Sequence, residues 1–222
     1  MKKIKIHNIT LYFKALLMEN NYLSQLSEIK KIIEERTRFH FLSGISGILA
    51  GTYALIGAYL AYRIIYFSQH IVYDDIYDLS LGFEAIRLIM IFGVVLILSI
   101  MTGLIFSWRK ANKDQSKLWN SAALKVLYNF SIPMIIGGIF ILYLFNWRFI
   151  VLIAPSSLIF YGLALINASN YTFSDVRKLG LTICILGIIN LAFPGYGLLF
   201  WALGFGVAHI LYGLIMYLKY ER

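Results

Sequence analysis

Three groups of residues have the types and the spacing to do chemistry. His209 is the only histidine deep inside an apolar stretch. Ala202, Gly206, His209 and Gly213 fall at steps of four, three and four. On a helix, the imidazole therefore shares a face with small residues and points at a neighbouring helix. An ionisable group at membrane depth is a candidate functional group by default. The plainer alternative is an interhelical hydrogen bond, with Asn167, Asn190, a serine or a threonine as partner. Asn167 and Asn190 form the second group and lie in or near apolar stretches, as do Asn129, Ser99, Thr102, Ser131, Ser156 and Ser157. With His209 they would line a ligand site or a proton path, or else act as packing glue. The third group is His70, Asp74 and Asp78, spaced by four, with Asp75 alongside. One helical face carrying them would hold a divalent cation weakly. A solvated acidic loop is the plainer account, since no other ligand cluster supports a metal.

What is missing narrows the chemistry. No Asp or Glu stands near the middle of an apolar stretch, where ion-coupled carriers keep their carboxylates, which argues against an ion-coupled pump. There is no Gly-x-Ser-x-Gly, no intramembrane Asp pair, no His-Glu-x-x-His and no P-loop. No cofactor is expected. A lone deep histidine cannot ligate haem from both sides, and His40 is the only other one near the same half of the membrane. Cys184 is the single cysteine; it reads as a small packing residue and cannot form an intrachain disulfide.

The elements that must position these residues are membrane helices. Of the 222 residues, 60% are hydrophobic and 14% charged, and the mean hydropathy is +0.75. A soluble domain is roughly 45–50% apolar and about 25% charged; a chain this apolar would expose its surplus to water and aggregate. The net charge of +9 would suggest nucleic acid in a soluble protein. Here the basic residues flank apolar spans, so no nucleic acid is expected and membrane lipids are the first partner. His7, Asn8 and Lys14 interrupt any signal-peptide core, so the first span is expected to direct insertion.

The spacing predicts an all-α fold: six transmembrane helices over about 41–62, 88–107, 126–145, 149–168, 173–193 and 198–218, forming a domain of 39–222. A polar segment, 1–38, precedes them. Within it Leu23, Leu26, Ile29 and Ile33 recur at steps of three and four, which predicts an amphipathic helix lying on the membrane or covering a partner. The apolar run from Val126 to Ala168 would be about 64 Å long as one helix. It must therefore turn back, and Asn146-Trp147-Arg148 is where it breaks. Pro133 and Pro155 fall within the third and fourth spans. Thr172 with Asp175 resembles a capping box opening the fifth. Pro194-Gly195-Tyr196-Gly197 turns the chain into the sixth. A four-span form, with this last pair re-entrant, is the alternative.

With the N-terminus in the cytoplasm, seventeen of the twenty Lys and Arg fall on inner segments, leaving Arg63, Arg87 and Arg148 outside. Both termini are then cytoplasmic. Span 1 carries Ser43, Gly47, Ala50, Ala54, Gly57 and Ala61 on one face. The matching face of span 6 is Ala202, Gly206 and Gly213. Close packing of these two faces is expected.

The stretches Phe193-Pro-Gly-Tyr-Gly-Leu-Leu-Phe-Trp-Ala-Leu-Gly-Phe-Gly and Ser43-Gly-Ile-Ser-Gly-Ile-Leu-Ala-Gly resemble small six-span inner-membrane proteins of bacteria of the Bacteroidota type. The resemblance covers most of the chain. It implies a bacterial inner membrane and six spans, and no activity, ligand or catalytic residue. The expected role is that of a non-enzymatic structural, sensory or partner-binding unit. Its N-terminal helix would face a cytoplasmic protein, and homo-oligomers are possible. A small transporter or channel subunit is the first alternative. An intramembrane enzyme, or a lipid- or quinone-binding protein using His209, is the second.

Overall fold

The computed structural model describes residues 43–67, 83–113 and 119–222, with Gln25 and Gln115 besides. Phe39–Arg222 form one compact unit and Met1–Arg38 another. The expected N-terminal amphipathic helix, His40, and the His70, Asp74 and Asp78 group lie outside the described residues.

All regular structure among the described residues is helical, as it must be where lipid offers the backbone no hydrogen bonds. The helices are α1 (Gly44–Phe67), α2 (Phe83–Lys113), α3 (Ser121–Asn146), α4 (Ile153–Ala168), α5 (Ser174–Ala192) and α6 (Gly197–Tyr220). Short 3₁₀ turns flank α4, at Ile150–Leu152 and Ser169–Tyr171. Five helices, all but α5, are long and apolar enough to cross a membrane, which makes this a multi-pass membrane protein. The first two turns of α5 carry Asp175, Arg177 and Lys178 ahead of its apolar stretch.

Several boundaries differ from the sequence expectation. The second helix extends well past both ends of 88–107, to 31 residues or about 46 Å. Nothing in Phe83–Lys113 breaks a helix, and its Trp-Arg-Lys-Ala-Asn-Lys end continues into the polar zone. Pro155 lies in the first turn of α4, where its missing N–H costs nothing, so it makes no kink. The α3–α4 turn is built on Arg148, which adopts φ 62°. Phe149 N–H donates to the Leu144 carbonyl at 2.8 Å and Arg148 N–H to that of Phe145 at 3.1 Å. This is the helix-closing arrangement usually given to glycine.

Successive helices run antiparallel. The Glu221 carboxylate accepts from the Gly44 N–H at 2.7 Å and lies 3.6 Å from Lys110 Nζ. The Lys125 ammonium lies over the Tyr171 ring, and Lys219 reaches Asp175 at 2.8 Å. The starts of α1, α3 and α5 therefore share one end of the unit with the finishes of α2, α4 and α6.

Two helix pairs approach at backbone distance. In α4–α5, a Cβ added at Gly180 would stand 2.7 Å from the Gly162 carbonyl oxygen, and one at Gly187 would stand 3.0 Å from that of Pro155. In α1–α6, a Cβ at Gly51 would stand 2.6 Å from the Gly206 carbonyl oxygen, and one at Gly213 equally close to that of Gly44. Leu158, Leu179 and Ile183 form the main buried cluster, covered by Phe200, Phe205 and Tyr212 of α6. The most apolar window of α2 contains no buried residue.

Candidate functional site

His209 lies buried on α6, where the helix has just passed through a wide π turn, Ala202–Val207. Its Nδ1 is 2.9 Å from the Gly204 carbonyl oxygen. A carbonyl only accepts, so Nδ1 carries the proton and Nε2 is the acceptor. The Tyr161 hydroxyl of α4 donates to Nε2 at 2.8 Å. Both nitrogens of a neutral ring are thus satisfied, one within α6 and one across to α4. Rings extend the contact. Phe92 of α2 meets Trp201, Trp201 meets Phe205, and Tyr161 packs against Phe205, His209 and Phe130 of α3, at centroid distances of 4.8–5.8 Å. The π turn is the irregularity that places Trp201, Phe205 and His209 along this line; such turns recur at functional sites.

The partner expected for His209 was an asparagine, serine or threonine, and the structure supplies a tyrosine. Tyrosine prefers the membrane interface. Tyr161, in the middle of the apolar run 153–168, was therefore the available signal, because its hydroxyl must find a partner there.

Asn167 and Asn190 do not bond to His209. Asn167 Nδ2 donates across α4–α3 to the Asn129 carbonyl at 2.8 Å. That carbonyl would ordinarily accept from the residue four positions on, which is Pro133 and has no N–H. Asn167 thus repairs the hydrogen bond that Pro133 removes. Asn190 is local: its Nδ2 donates to the Phe193 carbonyl at 3.4 Å, and Phe193 N–H donates to the Asn190 carbonyl at 3.0 Å, which shapes the turn that Gly195 completes at φ 95°. The buried Asn190 Oδ1 and Tyr212 hydroxyl have no hydrogen-bond partner among the described residues.

The sequence missed one cluster. The residue flanking the start of α5 is Phe173, which offers no side-chain cap. The Asp175 carboxylate of the expected Thr172–Asp175 box is taken up by three other donors. Lys219 donates to it at 2.8 Å, and Lys178 and the Tyr220 hydroxyl each at 3.0 Å. Lys219, with Lys178 and Tyr220, holds this carboxyl down at about 2, against the opposing effect of its burial. Lys219 and Tyr220 are 44 and 45 residues away, so no local pattern reveals them.

Of the small-residue face of α1, Ala54 is buried and Gly47 meets α6, where an added Cβ would stand 3.2 Å from Gly213 Cα. Gly57 turns to α2 instead, toward Val95. Ser43 donates to Glu221 at 3.3 Å, and Ala50 is partly buried. Gly206 of α6 is buried against Leu55, and Ala202 lies partly buried in the π turn. The closest approaches run through Gly44 and Gly51, off the expected face. Among the described residues, no three His, Cys, Asp or Glu side chains are grouped to hold a metal ion.

A lateral groove of about 420 Å³ opens between α3 and α4. Pro133, Ile136, Phe160, Leu163 and Ile166 form its apolar wall; Asn167, Asn170 and Arg177 line its polar end. His209 is not among its lining residues. No protein-family model matches the chain, and no curated protein or solved structure is significantly similar to it.

Proposed function

We propose that the chain is a non-enzymatic, structural or partner-binding unit of a bacterial inner membrane, with six spans and both termini in the cytoplasm. One observation carries this reading: the ionisable groups inside the unit serve as ties between helices. His209 joins α6 to α4 through Nε2, with Nδ1 held within α6, and Asp175 joins α5 to α6 through Lys219 and Tyr220. The contacts of α5 with α4 along Gly162–Gly187 support counting it as a sixth span. The gathering of Lys110, Lys125, Lys178 and Lys219 at one end supports the orientation.

The test has two parts. Cysteines at Ser80 and Ser116, in a Cys184→Ala background, are exposed to an impermeant maleimide on intact cells. Labelling at Ser80 alone is expected, and labelling at Ser116 overturns the orientation. In a strain lacking the gene, His209→Gln at normal abundance should restore the lost trait, whereas Leu26→Asp with Ile29→Asp should not. A His209→Gln protein that accumulates normally and fails to restore the trait overturns the structural role. A lipid-binding role is the second reading, favoured by the lateral groove between α3 and α4 rather than by His209.

A further inference from the structure

The groove has a gradient of polarity along a single helix stripe. Phe160, Leu163, Asn167 and Asn170 follow one another at steps of three, four and three, which keeps them on one side of α4 and its continuing turn over about 15 Å. The first two are apolar and the last two are amides. Arg177, from α5, stands at the amide end. Across the groove, α3 supplies Pro133 and Ile136. The contact at Gly137, where an added Cβ would strike Phe160, brings the two helices together just beyond.

The polar end also carries three basic side chains. Lys178 and Lys219 are both bound to Asp175. Arg177, exposed beside them, makes no ion pair among the described residues. Asn170 uses one amide hydrogen on the Asn167 carbonyl at 3.2 Å, which leaves the other to donate. A guanidinium and an amide donor at the mouth of an apolar trough match a phosphodiester above an acyl chain.

We infer that this groove binds one anionic glycerophospholipid taken from the leaflet at the Arg177 end. The phosphate pairs with Arg177 and Asn170, and an acyl chain lies against Phe160, Leu163 and Ile136. The inference deepens the lipid-binding reading above and rests on the chain being a membrane protein, not on its orientation or the role of His209. A bilayer lipid is the occupant because the trough opens sideways between two apolar helices, where a water-borne anion has no apolar part to place. Asn167 keeps its place in the repair of the Pro133 gap and contributes only its free Oδ1 side to the wall.

The experiment uses the full chain, delipidated in a non-ionic detergent and titrated with dioleoyl phosphatidylglycerol or dioleoyl phosphatidylcholine, with native mass spectrometry as the readout. Phosphatidylglycerol should bind more tightly. Arg177→Gln should weaken it about fivefold, the effect of one basic group near an anionic surface, and leave phosphatidylcholine unchanged. Leu163→Trp, which fills the trough from an exposed position, should weaken both lipids. Glycerol 3-phosphate at millimolar concentration should not compete. Helical content by circular dichroism confirms that each variant is folded; if Leu163→Trp is not, Leu163→Phe takes its place. Unchanged phosphatidylglycerol binding in both variants overturns the proposal. So does full competition by glycerol 3-phosphate, which would make the site a free-phosphate site with no role for the apolar wall. Failure of the topology test above would leave this result standing, and the reverse also holds.

Discussion

Helices α2 and α5 invert the ordinary rule that apolar residues go inside. By hydropathy α2 is the most apolar of the five candidate spans, yet its apolar window holds no buried residue. By the same criterion α5 fails to qualify as a span, yet Asp175, Val176, Leu179, Gly180, Ile183, Gly187 and Asn190 are all buried. Lipid explains the inversion. Apolar side chains gain nothing by leaving hydrocarbon for a protein interior, so burial goes to residues that improve packing or need a polar partner. Small residues let α5 meet α4 at backbone distance, and its one carboxylate finds three donors. Helix α2 has Gly93 and Gly103 as well, but an added Cβ at either would meet nothing within 4 Å.

The comparison can be broken most severely by truncation. Ile183→Ala in α5 removes a fully buried side chain and should cost about 1–3 kcal/mol, the cavity part of the cost in soluble cores. Ile97→Ala in α2, exposed in the structure, should change little. Reversible unfolding in mixed micelles measures both, and equal losses would remove the distinction between the two helices. Overpacking comes next. Gly180→Leu forces a side chain against the Gly162 carbonyl and should cost roughly 1–3 kcal/mol, while Gly103→Leu should be tolerated.

The charge on α5 sharpens the contrast further. Asp175→Asn should cost about 1 kcal/mol, because the Lys178 and Lys219 side chains are largely in solvent. The folded carboxyl titrates at about 2, below its ordinary 3.8. Its contribution is therefore complete above 3.8 and disappears as the pH falls through about 2. Unfolding measured from pH 5 down to 2 should show wild type losing stability and Asp175→Asn losing less. The smallest effects belong to single hydrogen bonds. Tyr161→Phe and Asn167→Ala should each cost about 0.6 kcal/mol, the usual scale between membrane helices. In the Asn167 case Pro133→Ala should cancel the loss by giving the Asn129 carbonyl a partner in its own helix. A double-mutant cycle without that coupling would refute the repair.

Periodicity and composition were enough to read the helical class. They also located the turn at Arg148 and the tendency of α1 to meet α6, since each depends on residues close in sequence. They misplaced the helix ends, because Lys, Arg and Ala extend a helix into polar surroundings without any break in pattern. The histidine was legible as a group needing partners, but the partners were not. Whether Tyr161, Asn167 or Asn190 supplies them depends on helix rotation, which the π turn of α6 alters. Asp175 was legible only as part of a local motif, because its partners Lys219 and Tyr220 come from the distant end of α6.

The Glu221 carboxylate closes the N-terminal end of α1, accepting from Gly44 N–H and Ser43 O–H across separations of 177 and 178 residues. In biosynthetic terms, the earliest of the six helices to be made is completed by the latest. Until α6 arrives, the glycines of α1 from Gly44 to Gly51 lie open, and the first amide of the helix lacks its carboxylate. A chain stalled within α6 would expose this unfinished notch to the lipid.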